Sequence, residues 1–134
     1  MQLPQSQRFV FPDVEEPVAL PVYPVELLQA RLASVRLCVE ADIGADGLVM
    51  AARPRVDEGC TDGPVREEFS TAAVEAVRRW VFAPALLCKA PDESAEDPCL
   101  HPQVEEVPTP VRLSYAFRFS QRDGEPVVEQ VGQD

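Results

Sequence analysis

The sequence predicts an α+β domain, and three observations carry that reading. Val35–Ile43 and Val111–Phe119 each alternate large apolar residues with polar or small ones, the period of a strand with one buried face. Phe69–Trp80 places Phe69, Ala73, Ala76 or Val77, and Trp80 at helical spacing, an amphipathic helix whose alanines permit close approach to a sheet. Gly44-Ala45-Asp46-Gly47 supplies turn chemistry between Val35–Ile43 and Leu48–Val56, so these runs read as an antiparallel hairpin.

The elements follow in chain order. Met1–Leu20 is proline-rich and irregular, with Phe9 and Phe11 around Val10 as a short accessory strand. From Tyr23 to Leu32, Pro24 suits a first helical turn, and Leu27, Leu28 and Leu32 form an apolar stripe. In the Leu48–Val56 strand, Pro54 cannot donate to a ladder and belongs near the strand end or on an exposed edge. An acidic turn-rich stretch, Asp57–Glu68, precedes the Phe69–Trp80 helix, and Pro84 limits that helix. Leu86 and Leu87 return the chain to the core before a long acidic, proline-rich loop over 89–110. After the strand Val111–Phe119, Asp123-Gly124 offers a turn into a short strand through Val127 and Val128, and otherwise 121–134 reads as an acidic tail.

With 134 residues, the chain has room for one hydrophobic core. Its net charge of -11 argues against broad attraction to nucleic-acid phosphates or anionic lipid, and leaves basic or neutral protein partners. The acidity sits in the tails and loops, because the predicted strands and helices are together mildly basic. No run approaches the ~18 apolar residues of a membrane-spanning helix, and the first thirty or so residues lack a basic start followed by an apolar core. Direct membrane insertion by this chain is therefore not expected. Cys38, Cys60, Cys88 and Cys99 allow three complete pairings. Cys88 to Cys99 is the most local of these, and a set of reduced cysteines is the alternative. They contain no CxxC spacing for zinc.

Tyr23-Pro24, the Ala45-Asp46-Gly47 turn, the helix exit from Ala72 through Trp80-Val81-Phe82-Ala83-Pro84-Ala85, and the Phe117–Phe119 strand occur in that order. Together they resemble the C-terminal domain of TonB energy transducers over about Tyr23 to Ser120. The resemblance implies a three-stranded antiparallel sheet with two helices packed on one face. It places a domain at 21–120 between the proline-rich segment 1–20 and the acidic tail 121–134. Tyr23, Pro24, Gly47, Trp80, Phe82 and Pro84 are its structural motif residues.

The function implied is recognition without covalent chemistry. An extended peptide pairs with an exposed sheet edge, whose backbone donors and acceptors supply affinity while side chains choose the peptide. On this chain the family's last strand falls on Val111–Phe119, which makes Arg112, Ser114 and Arg118 the partner-binding candidates. The implied partner is a protein or extended peptide, such as an outer-membrane transporter or another envelope protein. The implied compartment is the periplasm or cell envelope, with the cytoplasm left open because no leader or anchor is visible in the chain. The membrane helix and repetitive spacer of complete transducers are not recognisable, so an independent domain, an adaptor or a reused relative are all consistent with it.

Two rival readings stand beside this one. In the first, the domain is a structural or assembly module that selects partners through its acidic loops. The second is an enzyme, for which the only histidine, His101, sits between Leu100 and Pro102 outside any nucleophile motif. Glu67-Glu68 and Glu105-Glu106 read as solvated charges rather than an acid/base pair, and no phosphate loop or HExxH pattern is present. No cofactor or metal is expected.

Overall fold

The computed structural model describes residues 3–55, 59–61 and 65–133. Its elements are β1 (Gln7–Val10), β2 (Asp13–Val14), a 3-10 helix (Val25–Ala30), β3 (Val35–Ile43), β4 (Val49–Arg55) and α1 (Glu67–Arg78). There follow β5 (Phe82–Ala83), β6 (Ala85–Lys89), a short 3-10 turn (Pro98–Leu100), β7 (Glu105–Thr109), β8 (Val111–Arg122) and β9 (Glu125–Gln133). The central sheet has the order β4-β3-β8-β9, with every neighbouring pair antiparallel. A second sheet has the order β1-β6-β7, and β2 pairs with β5.

The expected three-stranded sheet with two packed helices is thereby corrected. The fold is mostly β, 45% strand and 17% helix, with sheets of three, two and four strands and one helix of seven or more residues among those described. The first predicted helix shrinks to the 3-10 helix Val25–Ala30, which Arg31 ends by entering the left-handed region at φ 50. Only Leu27 of that turn is buried, so little apolar surface offsets the cost of nucleating a longer helix. Of the tail read over 121–134, residues 121 and 122 extend β8 and Glu125–Gln133 form β9. Asp123 and Gly124 both have positive φ, 53 and 81, the geometry of a two-residue hairpin turn. The loop 89–110 likewise contributes β7, which pairs along β6 from Ala85 opposite Thr109 to Lys89 opposite Glu105. Within 1–20, the expected accessory strand is β1, paired with β6, while Phe11 lies beyond it and is exposed.

The core lies between α1 and one face of the central sheet. Leu37, Val39, Ala41 and Ile43 of β3 and Tyr115, Phe117 and Phe119 of β8 point to that face, as the alternation requires. From α1, Phe69, Ala73 and Val77 pack against them. Tyr23 joins this cluster with its ring 5.3 Å from Phe69 and 6.2 Å from Phe119, while Trp80 stands 5.0 Å from Tyr115. Burying side chains of this size stabilises the fold by about 2 kcal/mol each.

The six motif residues meet within this framework. Gly47 has φ +84, and its carbonyl accepts the Phe82 N–H at 2.9 Å, so the hairpin turn rests directly on the helix exit. Trp80 Nε1 donates to the Ala19 carbonyl at 2.8 Å, and the Tyr23 hydroxyl accepts from Gln121 Nε2 at 2.8 Å. Pro24 leads into the 3-10 helix, Phe82 is buried, and Pro84 separates β5 from β6. Together these contacts fasten the N-terminal arm along the core, from Ala19 at the Trp80 end to Tyr23 at the Phe69 end, and hold the β3–β4 turn at the Trp80 end.

Candidate interaction edge and outer sheet face

The Val111–Phe119 strand is an interior strand over most of its length. The described pairing with β9 runs from Tyr115 opposite Gln133 to Arg122 opposite Glu125, while β3 covers the other side from Val111 to Phe119. The expected open edge is thus corrected to the short stretch Val111–Ser114, which has β3 on one side alone among the described pairings. The cause is the Asp123-Gly124 turn, which folds the chain end back along β8.

The outermost strand on that side is β9. Its two-residue turn sets the ladder phase, because Arg122 and Glu125 flank the turn and form its hydrogen-bonded pair. Bonded pairs then recur at Ser120 with Val127 and at Arg118 with Glu129, so the backbone groups of Val128 and Gln130 point away from β8. Pro126 belongs to this outward set, where its missing N–H removes no ladder bond. Among the described residues, no strand pairs with this edge. The opposite edge, β4, packs against α1 and carries Pro54.

The partner-binding candidates occupy the sheet face turned away from the core, each with a different fate. Ser114 is buried, and its Oγ accepts from Arg55 Nη1 at 3.1 Å. Arg112 is exposed but committed locally, donating from Nε to Asp42 Oδ1 at 2.7 Å. Asp42 also accepts from Arg53 Nη1 at 3.0 Å, and Arg53 Nε reaches Glu40 Oε1 at 2.9 Å. The hydrogen bonds from Arg53, then from Arg112, lower the Asp42 carboxyl to about 2. Arg118 is exposed, between Arg36 on β3 and Glu129 on β9. The three therefore form no single cluster. Only Arg118 flanks the β9 edge directly.

Next to this network, Cys38 is bonded to Cys60, with Cα atoms 5.8 Å apart. Thr61 Oγ1 accepts the Cys38 N–H at 3.1 Å and donates to the Arg55 carbonyl, bridging the open end of the β3–β4 ladder. A disulfide and a hydroxyl thus tie residues 59–61 to the sheet. Cys88 and Cys99 form the second bond, with Cα atoms 5.2 Å apart, as the most local pairing anticipated. Two such bonds are compatible with an oxidising compartment.

His101 is buried, with Nε2 3.2 Å from Asp92 Oδ1 and Nδ1 accepting the Gln103 N–H at 2.9 Å. Ser94 Oγ donates to the same Asp92 oxygen at 2.6 Å, so the hydroxyl faces a carboxylate rather than the imidazole. These bonds, the first of them from Ser94, hold the Asp92 carboxyl below its ordinary range. The arrangement staples the loop through Asp92, which holds both Ser94 and His101. Among the described residues, no three His, Cys, Asp or Glu side chains come together as a metal site. None of the described helices is long and apolar enough to cross a membrane. What sequence reasoning missed is the outward β9 edge, although the Asp123-Gly124 turn and Val127-Val128 carry its signal. Comparison with protein-family models, curated proteins and solved structures finds no match for this chain.

Proposed function

We propose that this chain is a noncatalytic protein-interaction domain that takes up an extended segment of a partner as a further strand beside β9. The observation that carries the reading is the outer edge of β9, unpaired among the described residues, with the amides of Val128 and Gln130 turned outward. Such an edge gives affinity through backbone bonds and is sensitive to the side chains beside it. Glu125 and Glu129 lie along the strand and Arg118 beside it, so an incoming segment meets charges of both signs. The two disulfides and the resemblance of the motif residues support an envelope setting and an envelope protein as partner.

The test uses a peptide selected from a displayed library on the disulfide-bonded domain, followed by amide hydrogen exchange. Binding should slow exchange at Val128 and Gln130 beyond other exposed amides. Gln130→Pro removes one outward donor while sparing the bonds to β8, so it should abolish binding in a folded protein. Glu129→Pro removes an inward donor and should destabilise the hairpin itself. A peptide that binds folded Gln130→Pro with full affinity would refute strand addition at this edge.

A further inference from the structure

We infer that the trough along the outer side of α1 is a docking surface for a basic segment of a partner protein that carries an apolar anchor. Two depressions run end to end, one of about 460 Å³ between the 3-10 helix and the start of α1, the other of about 230 Å³ further along the helix. Both are lined by Val22, Ala72 and Glu75, so they adjoin along the helix. Its floor is a helical stripe that includes Glu68, Thr71, Ala72, Glu75 and Ala76, spaced so that they share a face. From Glu68 to the far rim at Arg79 the helix runs about 16 Å.

The facing wall is the N-terminal arm, which presents Val22 at 75% exposure and Val25 at 72%. These valines flank Tyr23 and Pro24, and the arm is anchored by the buried Tyr23 ring and by the Trp80 bond to Ala19. The apolar wall is therefore held in place before any partner arrives, which lowers the ordering cost of binding.

The rim decides the occupant. Glu26, Glu67, Glu68 and Glu75 all line the larger depression, and none joins an ion pair among the described residues. The outer sheet face differs, since arginines there hold both Glu40 and Asp42. Glu67 and Glu68 complement the α1 N-terminus, but Glu75 lies in mid-helix and Glu26 across the depression. A depression with an apolar wall and four carboxylates outside any described ion pair, two of them beyond the reach of the helix N-terminus, attracts cations and accepts an aliphatic side chain. The net charge of -11 disfavours a second copy of this chain, and phosphate-bearing ligands are repelled. A protein segment with lysine or arginine around a leucine-like anchor meets both demands. This surface does not depend on strand addition at β9.

Fluorescence anisotropy with a labelled amphipathic lysine–leucine peptide of about twelve residues tests the inference. The full domain should bind it, less tightly as salt rises. Val22→Ser with Val25→Ser, both at exposed positions, should weaken binding by about tenfold, and so should Glu26→Gln with Glu75→Gln. Glu93→Gln with Glu96→Gln, in the loop after β6, should leave binding unchanged, as should Gln130→Pro. Equal binding of a lysine–glycine peptide of the same charge would overturn the apolar anchor. Equal weakening by the loop variant would reduce the effect to net charge, and unchanged binding in both trough variants would overturn the site.

Discussion

Gly47 tests the packing that joins the hairpin turn to the helix exit. At φ +84 an alanine incurs about 1–2 kcal/mol of backbone strain, and its Cβ would overlap the Phe82 carbonyl oxygen. Relieving that overlap requires β5 to move. The shift sacrifices the Phe82 N–H bond to Gly47, about 1 kcal/mol, and part of the roughly 2 kcal/mol from burying Phe82. The expected loss for Gly47→Ala is thus about 4 kcal/mol, a large share of the ~5–15 kcal/mol that holds a domain together. Gly59 is the internal control, because its φ of +91 imposes the same strain while a Cβ there meets nothing within 4 Å. Gly59→Ala should lose only about 1–2 kcal/mol. Urea unfolding followed through the single tryptophan, Trp80, measures both variants. Equal losses would refute the argument from close approach and leave backbone strain as the whole effect.

Acid should weaken the outer sheet face in a defined window. Asp42 is depressed in the folded state, so its stabilisation is complete above the unfolded value near ~4 and disappears as pH falls through about 2. The carboxylate is partly exposed, which reduces the expected contribution to about 1 kcal/mol. Unfolding of wild type and Asp42→Asn across that range should converge at low pH, and parallel curves would contradict the coupling. The two disulfides should differ in effect. Cys38–Cys60 spans a separation of 22 residues and Cys88–Cys99 one of 11, which correspond to about 3.4 and 2.8 kcal/mol of loop-closure entropy. Denaturation of the paired alanine variants should show the larger loss for Cys38 and Cys60, and a reversed order would count against the entropic account.

The β3–β4 hairpin, α1 and the first nine positions of β8 were legible because their signals are local. Alternation assigns a face to every residue from Val35 to Ile43 and from Val111 to Phe119, and the apolar set of each strand lines the core, but Cys38, Ser114 and Ala116 on the other face are buried as well, Cys38 and Ala116 in a second small cluster with Cys60. The same alternation turned Arg112, Ser114 and Arg118 from the core, as observed. Their partners were not legible, since Asp42 and Arg55 lie far away in sequence and meet them only through the register of β3 and β4. The 3-10 helix shows the opposite limit, where a plausible stripe at Leu27, Leu28 and Leu32 found too little core to support full helical turns. Glu67 and Glu68 read as ordinary solvated charge until the fold brought them with Glu26 and Glu75 to one depression. Sequence alone thus determined which faces of the main elements are apolar, because side-chain direction follows from backbone period. Tertiary structure decided which strand ends the sheet, because edge position depends on long-range pairing, and the fold-back at Asp123-Gly124 transferred that role from β8 to β9.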